Sequence, residues 1–348
     1  MNDTFTIGAR DVGRDAPVFC IAELSGNHNG SLERAIEMVR AAAHAGADAV
    51  KAQTYRADTI TLNSRRPEFM ADGLWAGRSL YELYEEASMP WEWQPELAAE
   101  ADRCGVEFFS SVFDPSSVDF LVEMGAPCLK IASFELVDIP LIEQAAATGK
   151  PLIMSTGMAT FAEIEEAVVA ARRAGAKAIA LLACTSAYPA PASDANLRKI
   201  PRLANAMHVV GGLSDHTIGP EVPIAATALG AKIIEKHFTL RRTDGGVDSA
   251  FSLEPEEFAA MVHSVRVTES ALGEAQFGPT PADAKGVHYR RSLFVTTDVR
   301  AGEAFGEHNV RSVRPALGLH PRHLGEVTGR RAARDIEAGT PLDWSMLA

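Results

Sequence analysis

The sequence predicts an α/β protein, a (β/α)8 TIM barrel followed by a small β-rich C-terminal domain. Three observations predict it. Eight short apolar, β-branched runs recur along the first 240 residues, each followed by small and charged residues at helical spacing. Their repeat of roughly 20–30 residues, over a length of ~250, is the arithmetic of eight β-α units. Beyond Tyr289 the pattern changes to short alternating runs punctuated by glycine, which reads as a compact β module. The competitor, a doubly wound open sheet, usually carries a Gly-rich phosphate loop after its first strand. Here that strand runs into Glu-Leu-Ser-Gly-Asn-His-Asn-Gly at 23–30 with no GxGxxG, so the barrel is preferred.

Strands are expected at 18–24, 47–55, 106–112, 128–133, 151–156, 178–184, 208–214 and 231–238. Their near-continuous hydrophobicity is that of strands buried on both faces. Helix starts are marked by Asp114 before Pro115, by Asp138, and by Thr160 with Glu163 as a capping box. Gly46, Gly105, Gly125, Gly149, Gly175 and Gly230 fall where helices should end in a left-handed residue. The interval from Arg56 to Trp91 is too long for a simple loop and holds Phe69, Trp75, Tyr81 and Tyr84. An aromatic insertion after a strand's C-terminal end is expected to overhang the barrel mouth. The stretch 276–288, with Gly278, Pro279 and Pro281, reads as a linker between a barrel over 1–275 and a module over 289–348.

Composition excludes several classes. With 47% hydrophobic and 23% charged residues the 348-residue chain is neither disordered nor collagen-like. It shows no apolar run long enough to span a bilayer and no secretory leader, so a cytoplasmic location is expected. The four cysteines form no CxxC pair, which argues against a zinc ribbon or a disulfide framework. A formal charge of -13 disfavours nucleic acid and anionic membranes as partners. From Lys285 onward ten Lys and Arg face seven Asp and Glu, so that segment carries +3 and the rest carries -16.

In a barrel the C-terminal strand ends face the active site, and every predicted strand here ends in polar residues. They are Glu23; Lys51 and Gln53; Ser110 and Ser111; Lys130 and Ser133 with Glu135; Ser155 and Thr156; Thr185 and Ser186 with Tyr188; Ser214, Asp215 and His216; and Glu235 and His237. An inward lysine flanked by apolar residues needs an anionic partner, which a phosphate or carboxylate supplies. Two such lysines with several hydroxyls favour anion binding over a Schiff base. Two histidines near carboxylates, without thiolates, suit a labile divalent ion such as Mn²⁺ or Mg²⁺ better than a closed zinc site; two hydrogen-bonded core histidines are the plainer reading.

The segments IAELSGNHNGS (21–31), KAQTY (51–55), LKIASFEL (129–136), STGM (155–158), LSDHT (213–217), EKHF (235–238) and FSLEP (251–255) together resemble the sialic acid synthase family. That family condenses phosphoenolpyruvate with an N-acylated amino sugar. RRSLFV (290–295), AGE (301–303), NVRSVRP (309–315) and GLHP (318–321) resemble its C-terminal SAF, or antifreeze-like, domain. The first motif and the insertion at 73–93 lean toward the pseudaminic acid branch, with Gly26 standing where that branch has Ala. Ser186 stands where neuraminate synthases tend to have Asn. A neuraminate or legionaminate synthase is the alternative, and a Schiff-base aldolase or a catalytically dead binding module are more distant ones.

The resemblance implies that Lys51, Ser111, Lys130, Ser133, Ser155, Ser186 and Ser214 hold phosphoenolpyruvate and that His216 and His237 bind the metal. It implies that Glu23, Gln53, Glu135, Tyr188 and Asp248 contact the sugar or the reacting centre, with Glu23 and Glu135 as the acid–base pair. It also implies that Arg291, with the adjacent Arg290 as the alternative, reaches that centre from the SAF domain of the second chain in a domain-swapped homodimer.

Overall fold

The computed structural model describes residues 4–348. The chain divides into two compact units, one ending at Gly273 and the other spanning Glu274–Ala348. In the first, an antiparallel hairpin of β1 (Thr4–Ile7) and β2 (Arg10–Gly13) precedes eight parallel strands. These are β3 (Phe19–Glu23), β4 (Ala49–Thr54), β5 (Glu107–Val112), β6 (Leu129–Ile131), β7 (Leu152–Ser155), β8 (Ile179–Cys184), β9 (Val210–Asp215) and β10 (Ile233–His237). They pair in chain order, and β10 closes on β3 to complete a barrel. Each predicted apolar run holds one strand, trimmed by one to three residues at its ends except at β9, which runs one residue further to Asp215.

The helix signals act as read. Asp114 accepts from the amides of Ser116 and Ser117 ahead of helix Pro115–Glu123, and Asp138 caps Ile139–Ala147. Thr160 and Glu163 form a reciprocal capping box ahead of Phe161–Arg173. The six glycines expected after helices all have positive φ.

Period-two alternation sorts each strand into an inward and an outward set. Inward at the lower level, Phe19, Ile21, Ala49, Phe109, Cys128, Ile153, Ala180, Leu182, Val210 and Ile233 form one apolar cluster. Ile7 and Val12 of the hairpin join it, so the hairpin plugs the barrel floor. The sequence reading places no element before the strand at 18–24, and this hairpin is an addition to it. Its signal was the alternation of Phe5 and Ile7 with threonines, followed by Gly8 at a turn of positive φ. Below the floor Asp48 accepts from the Cys20 amide at 2.8 Å, from Arg10 at 3.1 Å and from Arg266 at 2.7 Å. One carboxylate thereby joins the hairpin, β3 and the long helix Pro255–Leu272.

The 56–91 insertion is built of short helical pieces, of which Leu80–Ala87, here the lid helix, is the longest. Trp75 donates its indole N–H to the Val247 carbonyl at 3.0 Å, and its ring lies 6.0 Å from that of Tyr188. The insertion therefore lies over the strand C-termini. Among the described residues no helix is long and apolar enough to cross a membrane.

The second unit pairs β11 (Ser292–Val295) with β12 (Val310–Val313), antiparallel. Isolated bridges such as Phe294 with Pro341 and Val299 with Ile336 extend the pairing. Leu293, Val295, Val299, Phe305, Val310, Val327, Ile336 and Leu342 form its own apolar core.

Candidate active site

Two residues above the apolar floor the interior becomes ionic, because the same inward set continues as Glu23, Lys51, Ser111, Lys130, Ser155, Cys184, Ser214 and Glu235. Register places Glu23 opposite Lys51, Ser111 opposite Lys130, and Ser214 opposite Glu235. Lys51 is ion-paired with Glu23 and lies 3.7 Å from Glu235, while donating to the Ser111 hydroxyl at 3.0 Å. Lys130 lies 3.8 Å from Glu235 and donates to Ser155 at 2.7 Å. Ser214 donates to Glu235 at 3.0 Å. All of these side chains are buried.

Withdrawing an ion from water costs several kcal/mol, so isolated charges here would be untenable. The arrangement answers with two carboxylates and two ammoniums. Burial acts to raise Glu235, but Lys130 and Lys51 outweigh it and hold the carboxylate below its ordinary range. Glu23 is raised, chiefly by burial, against the pull of Lys51. Burial opposes the charge of Lys51, yet Glu23 and Glu235 outweigh it and raise its pKa, whereas burial leaves Lys130 lowered. Internal carboxylates thus serve both lysines, a partner that the sequence argument from desolvation had assigned to an external anion. Glu235 is the residue it missed as the hub.

In the loops above, Ser133 and Ser186 approach each other across Gly157. Its φ is +31°, and a Cβ there would stand 2.7 Å from either hydroxyl oxygen. Glu135 lies in the turn Phe134–Val137, with its carboxyl pushed up to about 7, chiefly by burial. Its Oε2 is buried without a hydrogen-bond partner. Gln53 is half-buried at the end of β4, opposite Ser111. Asp248 accepts from the hydroxyl of Ser25, whose backbone N–H donates to Glu23 at 2.8 Å. Ser25 was not singled out from sequence; its positive φ of 49° in a non-glycine residue is visible only in the structure.

His216 and His237 converge from adjacent strand ends, ring centroids 5.2 Å apart. The Nδ1 of His216 lies 2.9 Å from the Thr185 carbonyl, which assigns that nitrogen as the donor and leaves Nε2 with a lone pair. The Nδ1 of His237 is buried without a hydrogen-bond partner, and burial lowers this imidazole well below its ordinary range, keeping it neutral. Burial acts to lower His216, but Cys184 and the Thr185 carbonyl outweigh it and raise this imidazole, so a divalent ion held by the pair would compete with a proton on His216 and not on His237. Among the described residues no three His, Cys, Asp or Glu side chains cluster as a metal cage, so the remaining positions would be filled by water or substrate. Tyr188 covers the pair at 4.4 Å from His216, and Phe251 lies 5.0 Å from His237. Cys184, 3.9 Å from the His216 Nδ1, also belongs to this wall. Neither Cys184 nor Phe251 is among the site residues that the sequence singles out.

Not every strand-end polar residue faces this site. Ser110 hydrogen-bonds with Thr54 at 2.6 Å, and Thr156 donates to the Leu182 carbonyl. Asp215 pairs with Lys236 and accepts from the Thr217 amide at 3.1 Å. Lys236 also donates to the Gly219 carbonyl at 3.1 Å. These outward groups fix the loops that carry the inward ones. Arg291 lies in the second unit, donating to the Ser312 carbonyl at 3.1 Å.

Comparison with known proteins follows the same map. Residues 38–277 match the NeuB family and residues 290–348 the SAF domain. The chain belongs to the NeuB family. It is 44% identical over 328 residues to the pseudaminic acid synthase of Helicobacter pylori, covering 94% of this chain and 96% of that protein. It is 35% identical to the N,N'-diacetyllegionaminic acid synthase of Legionella pneumophila over 97% of this chain and 96% of the relative. Among solved structures, the spore coat polysaccharide biosynthesis protein SpsE of Bacillus subtilis is similar at a TM-score of 0.68 and 38% identity, covering 99% of each chain. The N-acetylneuraminic acid synthetase of Leptospira borgpetersenii is similar at a TM-score of 0.73 and 34% identity, over 82% of this chain and 95% of that one. This NeuB-family chain is accordingly an enzyme of the nonulosonic acid synthase class, with the barrel and SAF architecture that its motifs imply.

Proposed function

We propose that this protein is a pseudaminic acid synthase, which condenses phosphoenolpyruvate with a 2,4-diacetamido-2,4,6-trideoxy hexose of altrose configuration and releases phosphate. The observation that carries the reading is the 44% identity to pseudaminic acid synthases over 94% of the chain, against 34–36% for the legionaminic and neuraminic relatives. A sugar with two acetamido groups and a methyl in place of a hydroxyl also suits an aromatic cover such as Trp75, Tyr84 and Tyr188.

Lys51 and Lys130, with the hydroxyls of Ser111, Ser133, Ser155, Ser186 and Ser214, bind the phosphate and carboxylate of phosphoenolpyruvate. Gln53, Tyr188 and Asp248 orient the sugar. The enol carbon of phosphoenolpyruvate attacks the aldehyde carbon of the open-chain sugar, forming the new C–C bond as the carbonyl oxygen takes a proton. Water adds to C2, and the tetrahedral product loses inorganic phosphate as the C2–O bond breaks. Glu23 and Glu135, both raised by burial, are suited to take the water's proton and return one as phosphate leaves. His216 and His237 would hold a divalent ion, Mn²⁺ or Mg²⁺, whose Lewis acidity would serve the aldehyde oxygen. The enzyme acts in the cytoplasm as a domain-swapped homodimer, and Arg291 of the partner subunit reaches the sugar.

Phosphate release with phosphoenolpyruvate and a panel of amino sugars tests this. The diacetamido altrose should give the highest kcat/KM, and a preference for N-acetylmannosamine or the legionaminic precursor would reassign the branch. Trapping by borohydride with pyruvate would favour a Schiff-base aldolase instead.

A further inference from the structure

We infer that residue 26 sets how closely the lid helix sits over the barrel mouth, and so which acceptor sugar fits beneath it; this rests on the synthase reading above. The lid helix opens with a reciprocal capping box of Ser79 and Glu82 and ends at Ala87, which rests on the turn Ser25–His28. Gly26 makes the contact. A Cβ at that position would lie 3.1 Å from the Ala87 Cβ and 3.2 Å from its Cα, tighter than ordinary packing. Gly26 is not among the positive-φ glycines, so its backbone does not require glycine; the approach of the helix does.

His28 meets the same helix end. It is wholly buried, and its Nδ1 accepts from the Gly30 amide at 3.1 Å. Its ring proton is therefore on Nε2, which is directed at the Ala87 backbone but falls short of good hydrogen-bond geometry. The ring also packs edge-on to Trp93 at 5.6 Å. The insertion has a second tie at Trp75, bound to Val247 beside Asp248. Between the ties, Tyr84 packs on Tyr55 with centroids 6.0 Å apart, and its phenol is raised by burial and then by the charge of Glu135. The turn that seats the helix also holds Glu23 and Asp248 through Ser25. Lid position and acceptor pocket are thus coupled through one four-residue turn.

A methyl at position 26 must displace the helix end, and a misplacement of about 1 Å can cost on the order of a hundredfold in rate. A shift of a few tenths of an ångström should then change the rate roughly three- to tenfold. The test compares Gly26→Ala, Ala87→Gly and the double variant in the full-length enzyme. Gly26→Ala, which installs the alanine of the pseudaminic branch, should change kcat/KM for the diacetamido sugar by that factor and shift its ratio to N-acetylmannosamine. The KM for phosphoenolpyruvate should stay within about twofold. Ala87→Gly, which removes the opposing methyl, should restore both in the double variant. A crystal structure of Gly26→Ala should show the lid helix displaced, and that readout stands even where none of these sugars turns over, an outcome that would remove the synthase reading alone. An undisplaced helix, unchanged selectivity, or a change that Ala87→Gly does not reverse would overturn the inference.

Discussion

The lower and upper levels of the barrel interior are separated by two residues on every strand and obey opposite rules. Ile21 gives way to Glu23, Ala49 to Lys51, Cys128 to Lys130, Ile153 to Ser155 and Ile233 to Glu235. The floor is apolar and filled, so shape alone constrains it. The level above holds buried charges whose cost is offset only by one another, an arrangement that stability alone would not select. Substitutions in the two levels should therefore separate stability from chemistry.

The largest effect is expected at the upper rim. Under the proposed function, His216→Ala or His237→Ala would remove one of two protein donors to the ion, and losing several kcal/mol of charge stabilisation corresponds to about a thousandfold in turnover. Circular dichroism should show both variants folded, and titration with Mn²⁺ should show weakened binding. An unfolded variant would instead mark the pair as core histidines. Next, Lys236→Met tests the outward level. Lys236 is buried against Asp215, and breaking such a pair should cost about 3–5 kcal/mol in denaturant unfolding. Adding Asp215→Asn should recover part of that loss. In the floor, Ile153→Val should cost about 1 kcal/mol, with turnover per folded molecule unchanged.

The contrast also explains what was legible. The barrel was readable because each strand is a continuous apolar run and each helix carries its own cap, as at Asp114 and Thr160. The inward identity of Lys51, Lys130 and His237 followed from the same period of two. The Glu235 hub was not legible, because register across strands decides which carboxylate meets which lysine. Nor was the outward service of Asp215 and Ser110, since a strand-end polar residue has the same sequence signature on either face. Ser25 and Gly157 acquire meaning only through loops that meet in space.

Glu135 is tested through pH rather than through a single rate. Its folded carboxyl, pushed up to about 7 chiefly by burial, lies above its ordinary range. Its contribution to stability is present in full below that ordinary range and is lost as pH rises through about 7. Glu135→Gln should flatten the decline in unfolding midpoint between acid and neutral pH and remove an inflection near 7 from the rate profile. A pH dependence identical to that of the parent protein would detach Glu135 from both.

Phosphoenolpyruvate labelled with ¹⁸O in its C–O–P bridge tests most directly that the ionic level is a condensing centre of this kind. With the diacetamido sugar, the label should appear in the inorganic phosphate as the nine-carbon acid forms. Label retained at C2 of that acid, or acid formed from pyruvate without phosphate release, would contradict the account.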